Sequence, residues 1–198
     1  MYRPARYYEN VWELGKNAVL RIIFLDTLMM SCNVPAELNS MDASYGDCKD
    51  AGSPEELQEQ YKWLGEVLAK PASVKIVVGH VPILSAGNHG NSQALIKELL
   101  PLLQMHHVDL YFAGHNHVLE HLRTPGDNAI DLVVSGAGGF SADPVLSIND
   151  NLVTGFTKNG FVTTTISPAS QGAHKVVVRF FDLTQTELYS FERTTPSV

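Results

Sequence analysis

VVGHVPILSAGNHG, residues 77–90, ends an apolar run in a glycine and a histidine, and holds a second histidine nine positions on. VDLYFAGHNHVLEHL, residues 108–122, repeats the arrangement: apolar run, glycine, His115, and then His117. Short apolar runs of this kind are strands buried on both faces of a sheet, as in parallel sheets covered by helices. Between the two runs, residues 92–104 carry Leu95, Leu99, Leu102 and Leu103 at helical spacing, with Pro101 expected to kink or end the helix. Upstream, SPEELQEQYKWLGEVL begins with Ser53 as N-cap, Pro54 in the first helical position and Glu56 closing a capping box. Leu57, Tyr61, Leu64 and Leu68 make its apolar stripe, and Pro71 stops it. Residues 18–26 read as a further strand. The middle of the chain is therefore helix, strand, helix, strand, and the fold class is α/β. After His117 the segments VLEHLRT, AIDLVVSGAGG, GFVTTTIS, HKVVVRFFD and TELYSFER predict antiparallel strands.

The 198 residues suit one domain, with no repeat and no linker to divide it. The formal net charge is -7, with 14 Lys and Arg against 21 Asp and Glu, so no basic surface for nucleic acid is expected. No apolar stretch reaches the roughly 20 residues a membrane span needs. Met1 is followed by YRPARYYENVW, which lacks the apolar core of a signal peptide; the expectation is an intracellular chain or one without its natural N-terminus. Cys32 and Cys48 flank a polar loop and read equally as a disulfide or as two free thiols.

Seven of the eight histidines lie between His80 and His121. Ligands of α/β proteins collect beyond the carboxyl ends of the central strands, where His80 and His115 fall. Neutral imidazole is the commonest metal ligand. A lone histidine at a strand end is more often structural, but two strand-Gly-His endings, one extended to Gly-His-x-His, point to a metal centre. His106 and His107 end a helix, where they suit its C-terminal dipole. His121 and His174 fall in strands and read as packing residues. GAGGF, residues 136–140, lacks the lysine of a phosphate-binding loop and reads as a tight turn.

Taken together, VVGHVPILSAGNHG, VDLYFAGHNHVLEHL, VVSGAGGFSADP, RPARYYENV and GFVTTTIS resemble the C-terminal half of purple acid phosphatases of the tartrate-resistant type. These are calcineurin-like metallophosphoesterases. The resemblance implies the C-terminal half of a four-layer αββα sandwich, residues 1–198 forming a single partial domain. It implies hydrolysis of phosphomonoesters at a dinuclear metal centre, Fe with Fe, Zn or Mn, with no nucleic-acid or membrane partner. By the same resemblance His80 and His115 match ligands of the divalent site, and His117 matches a ligand of the ferric site. His89 matches a histidine that positions substrate or acts on the leaving group. The family often has Asp where this chain has Asn116. Its earlier ligands, an Asp, a bridging Asp, a Tyr and an Asn, precede the segment matched by Arg6-Tyr7-Tyr8. They are therefore not expected within these residues, and GDCKD, residues 46–50, reads as a surface loop rather than their replacement. The alternative reading is a catalytically inactive remnant serving as a binding or structural protein. The family setting is secreted, lysosomal or vacuolar.

Overall fold

The computed structural model describes residues 5–15, 18–34, 48, 51–139, 141–146 and 149–195. Strand β1 (Tyr8–Gly15) turns back into β2 (Ala18–Phe24), followed by α1 (Thr27–Cys32) and α2 (Pro54–Leu68). Then come β3 (Val74–Val78), a π-helical turn (Leu95–Leu99) running into α3 (Leu100–Met105), and β4 (Leu110–Ala113). The remainder is strand, apart from a 3₁₀ turn at Ser170–Gly172: β5 (Leu119–Arg123), β6 (Asp131–Ser135), β7 (Leu152–Phe156), β8 (Gly160–Pro168), β9 (His174–Asp182) and β10 (Glu187–Thr195). Seven strands form one sheet in the order β1-β2-β3-β4-β6-β5-β7, and β10-β9-β8 form a second.

The parallel core is β2, β3, β4 and β6. Alternation along each strand divides its side chains between two layers. Val77 of β3 and Leu132 and Val134 of β6 pack under the helices with Leu57, Leu64, Leu68, Leu95, Leu99 and Leu103. Val74, Ile76, Leu110 and Val133 face the second sheet and meet Val176, Val178 and Phe180 of β9. The described residues thus form three layers: helices, seven-stranded sheet, three-stranded sheet. Arg193 of β10 ties the two sheets together, donating to Asp109 Oδ1 (3.2 Å) and Asp131 Oδ2 (3.1 Å).

Several local expectations need correction. The strand after Ala18 stops at Phe24, because Asp26 caps α1 by accepting from the Met29 amide (3.0 Å). β1 and β7 were not legible as strands. β6 is parallel to β4, not part of a purely antiparallel half. Pro101 does not end the helix that Leu95 begins. The turn before it widens to π geometry, which removes the proline's missing N–H from the bonding pattern and relieves its clash with the preceding turn. The capping box is present as read, Ser53 accepting from Glu56 N and Glu56 from Ser53 N. Cys32 and Cys48 are joined as a disulfide. GDCKD apart from Cys48 lies outside the described residues.

Candidate active site

The two Gly-His loops are held by buried polar groups behind them. Thr27 Oγ1, at the start of α1, accepts from both the His80 amide (2.8 Å) and the Val81 amide (2.9 Å). The Tyr111 hydroxyl of β4 donates to the Val81 carbonyl (2.6 Å). Gly79 must be glycine for this: a Cβ there would stand 2.4 Å from Tyr111 Oη and 2.5 Å from Thr27 Cγ2. The second loop is joined to the first through Gly114 N, which donates to the His80 carbonyl (3.0 Å). His115 then adopts φ 61°, a left-handed conformation that costs a non-glycine residue energy and turns its ring toward His80.

The outcome is that His80 Nε2 and His115 Nδ1 lie 3.2 Å apart. The His89 ring packs against His115 with centroids 4.3 Å apart. Three of the four histidines singled out in the sequence are thus brought together. His117 faces Asp143, with Nδ1 3.8 Å from Oδ2, while its amide donates to the same carboxylate (3.3 Å). Asp143 was missed in the sequence; its only signal is its place in SADP.

Behind the cluster lies a buried polar chain of Glu120, Ser85 and Asn116. Glu120 is fully buried. Ser85 Oγ donates to its Oε2 (2.7 Å), and the Ala86 amide donates to its Oε1 (3.1 Å). Burial pushes the Glu120 carboxyl above its ordinary range, and the bonds from Ser85 and Ala86 pull partly back. Asn116 Nδ2 donates to Ser85 Oγ (2.7 Å), and Asn116 Oδ1 accepts the His89 amide (2.9 Å).

A cavity of about 400 Å³ opens at the opposite end of the sheet, lined by Lys75, His106, Asp109 and Arg193 among others. Its charges are committed internally: Arg193 to Asp109 and Asp131, Lys75 Nζ to the carbonyls of Leu68 and His106. It lies away from the strand ends that carry His80 and His115.

Residues 16–119 match the family described as calcineurin-like phosphoesterase. The chain belongs to the calcineurin-like phosphoesterase family. Within that family it is 31% identical to mouse tartrate-resistant acid phosphatase type 5 over 176 residues, 83% of this chain and 51% of the relative. Over 67 residues, 34% of this chain and 18% of the relative, it is 52% identical to purple acid phosphatase 3 of Arabidopsis thaliana. Among solved structures, GAP50, the anchor in the inner membrane complex of Plasmodium, matches 96% of this chain and 54% of its own at a TM-score of 0.72 and 22% identity. A purple acid phosphatase from yellow lupin (Lupinus luteus) seeds matches 97% of this chain and 34% of its own, with a TM-score of 0.68 and 18% identity. These two share the fold. The chain spans about half the length of the mouse relative.

Purple acid phosphatases imply a dinuclear metal centre, and the phosphoesterase loops can be tested for it. Two imidazoles each about 2.0–2.1 Å from one tetrahedral ion place their nitrogens roughly 3.3 Å apart. The 3.2 Å between His80 Nε2 and His115 Nδ1 fits two positions on one ion. Among the described residues no three His, Cys, Asp or Glu side chains converge as a metal-holding group. No helix among them is long and apolar enough to cross a membrane.

Proposed function

We propose that the protein is an acid-phosphatase-type phosphomonoester hydrolase and that these residues carry the imidazole half of its active site. The observation that supports this most is the approach of His80 Nε2 to His115 Nδ1, made by two loops that each leave a parallel strand through a glycine. In this reading His80 and His115 hold the divalent ion, His117 contributes to the second site, and the anionic ligands come from outside the described residues. The metals, Fe with Fe, Zn or Mn, would polarise the phosphoryl oxygens and lower the pKa of bound water. His89, packed at a tilt against His115, would present a ring N–H to the leaving oxygen as charge develops there. The His89 backbone N–H donates to Asn116 Oδ1, which holds the backbone that carries the ring. The residues form a single partial domain. The Cys32–Cys48 disulfide supports a secreted, lysosomal or vacuolar setting.

A second reading is favoured by one observation, the lack of any convergent group of three ligands among the described residues. In it the chain is an inactive remnant that binds or anchors, a role carried by the fold in the Plasmodium protein. Hydrolysis of p-nitrophenyl phosphate with added iron and zinc separates the two. The first reading predicts no turnover by the 198 residues alone, and turnover by the same residues together with their upstream coding sequence, reduced by His89→Ala. Chelator-sensitive turnover by the short chain would refute the assignment of the missing ligands; a silent long chain would favour the remnant.

A further inference from the structure

Ser85, Asn116 and Glu120 are each within 1% of complete burial, so every hydrogen-bonding atom among them must be matched. A serine hydroxyl has one proton and two lone pairs. Ser85 directs its proton to Glu120 Oε2 and its lone pairs to Asn116 Nδ2 and the Gly87 amide (3.0 Å). It is saturated, and the chain has a direction. As a carboxylate Glu120 accepts from Ser85 Oγ and from the Ala86 amide, so the Ser85 proton is spent on it. Asn116 must then donate to Ser85, so its nitrogen faces inward and its oxygen is left facing the His89 amide. The 85–90 loop lies close on Asn116: a Cβ on Gly87 would stand 2.9 Å from Asn116 Cβ and Cγ.

We propose that Glu120 is a positioning residue for His89, acting through Ser85 and Asn116 as a buried relay whose direction Glu120 sets. The inference rests on the reading of His89 as the leaving-group residue only for its consequence in catalysis; the relay stands on its own geometry. Asn116→Asp would set two carboxylates against one hydroxyl proton. Glu120→Gln would set an amide N–H₂ against either Ser85, which Asn116 already faces with a donor, or the Ala86 amide. Making both changes reverses the direction of the chain and leaves every group matched. The new glutamine then accepts from Ala86 through its oxygen and donates to Ser85 through its nitrogen. Ser85 in turn donates to the new aspartate, whose other oxygen accepts from the His89 amide.

The experiment compares the wild-type chain with Asn116→Asp, Glu120→Gln and the double variant. Thermal unfolding gives the stability of each, and NMR gives amide exchange at His89 and the His89 ring shifts that the neighbouring His115 ring causes. Each single change is expected to lower the midpoint by roughly 4–8 °C and to raise His89 amide exchange at least tenfold. The double variant is expected to regain more than half of both losses. In the upstream-extended protein the single changes are expected to lower kcat several-fold with little change in KM, and the double change to restore it. A double variant whose losses equal the sum of the singles, or which does not fold, overturns the relay. So do single variants whose His89 signals match the wild type. Failure of the extended protein to hydrolyse phosphomonoesters would refute the enzyme reading and leave the unfolding and NMR results to decide the relay.

Discussion

Thr27→Val is the sharpest test of how the His80 loop is held. Valine keeps the shape of threonine and removes one oxygen. That oxygen accepts from two backbone amides, His80 and Val81, and Thr27 is 1% exposed. An unmatched buried N–H costs about 1–3 kcal/mol. Val81 is buried and bears the whole cost, whereas the His80 amide lies nearer the surface and regains part of its loss from water. The sum is about 2–4 kcal/mol, which for a chain of this size lowers the unfolding midpoint by about 6–12 °C. Thr27→Ser is the control. It keeps both bonds and loses a methyl group, for about 1 kcal/mol and a fall of roughly 3 °C. Calorimetric unfolding of both variants gives the magnitudes, and amide exchange at His80 and Val81 locates them. If Thr27→Val unfolds at or above the temperature of Thr27→Ser, the loop is not held through this hydroxyl.

Gly136→Ala tests the second loop. The added Cβ would lie 1.9 Å from the backbone oxygen of Asn116, which cannot yield as a flexible side chain could, so a loss of about 3 kcal/mol or more is expected in denaturant unfolding. Asp131→Asn tests the tie between the sheets. Burial alone would raise the Asp131 carboxyl, but the hydrogen bonds from His121 and Arg193 and the charge of Arg123 outweigh it and hold the carboxyl below its ordinary range. A depressed folded value means its contribution is full above about pH 4 and is lost as pH falls through that folded value. The stability gap between wild type and Asp131→Asn is therefore expected to be widest near neutrality and to close on acidification, as measured by urea unfolding across that range. Reduction of Cys32–Cys48 opens a loop of sequence separation 16 and is expected to cost up to about 3 kcal/mol in the same assay.

The legible parts of the sequence were those where one residue type meets one local demand. Ser53, Pro54 and Glu56 specify a helix start whatever surrounds them. The apolar runs before Gly79 and Gly114 specify buried strands because both faces are covered. His80 and His115 could be paired because each ends such a strand, whereas His89 was assigned only by the family resemblance. The parts that were missed depend on distant partners. β1 alternates weakly and is a strand because it pairs with β2, helped by the contact of Arg21 with Glu9. The parallel setting of β6 is decided by β4, not by its own residues. Pro101 argued for a kink or an end, and the structure has a π turn running into the helix there. Thr27, Ser85 and Asp143 carry no motif, and their roles come from what the fold places opposite them.

Zinc titration calorimetry on the purified chain tests most directly whether His80 and His115 form a metal-binding pair. Saturable binding is expected near neutral pH, weakening as pH falls and protons compete for the imidazoles. The His80→Ala, His115→Ala double variant is expected to lose at least tenfold in affinity, and His106→Ala, His107→Ala at the other end of the sheet to lose none. Equal affinity in the wild type and the His80, His115 variant would contradict the assignment of this pair.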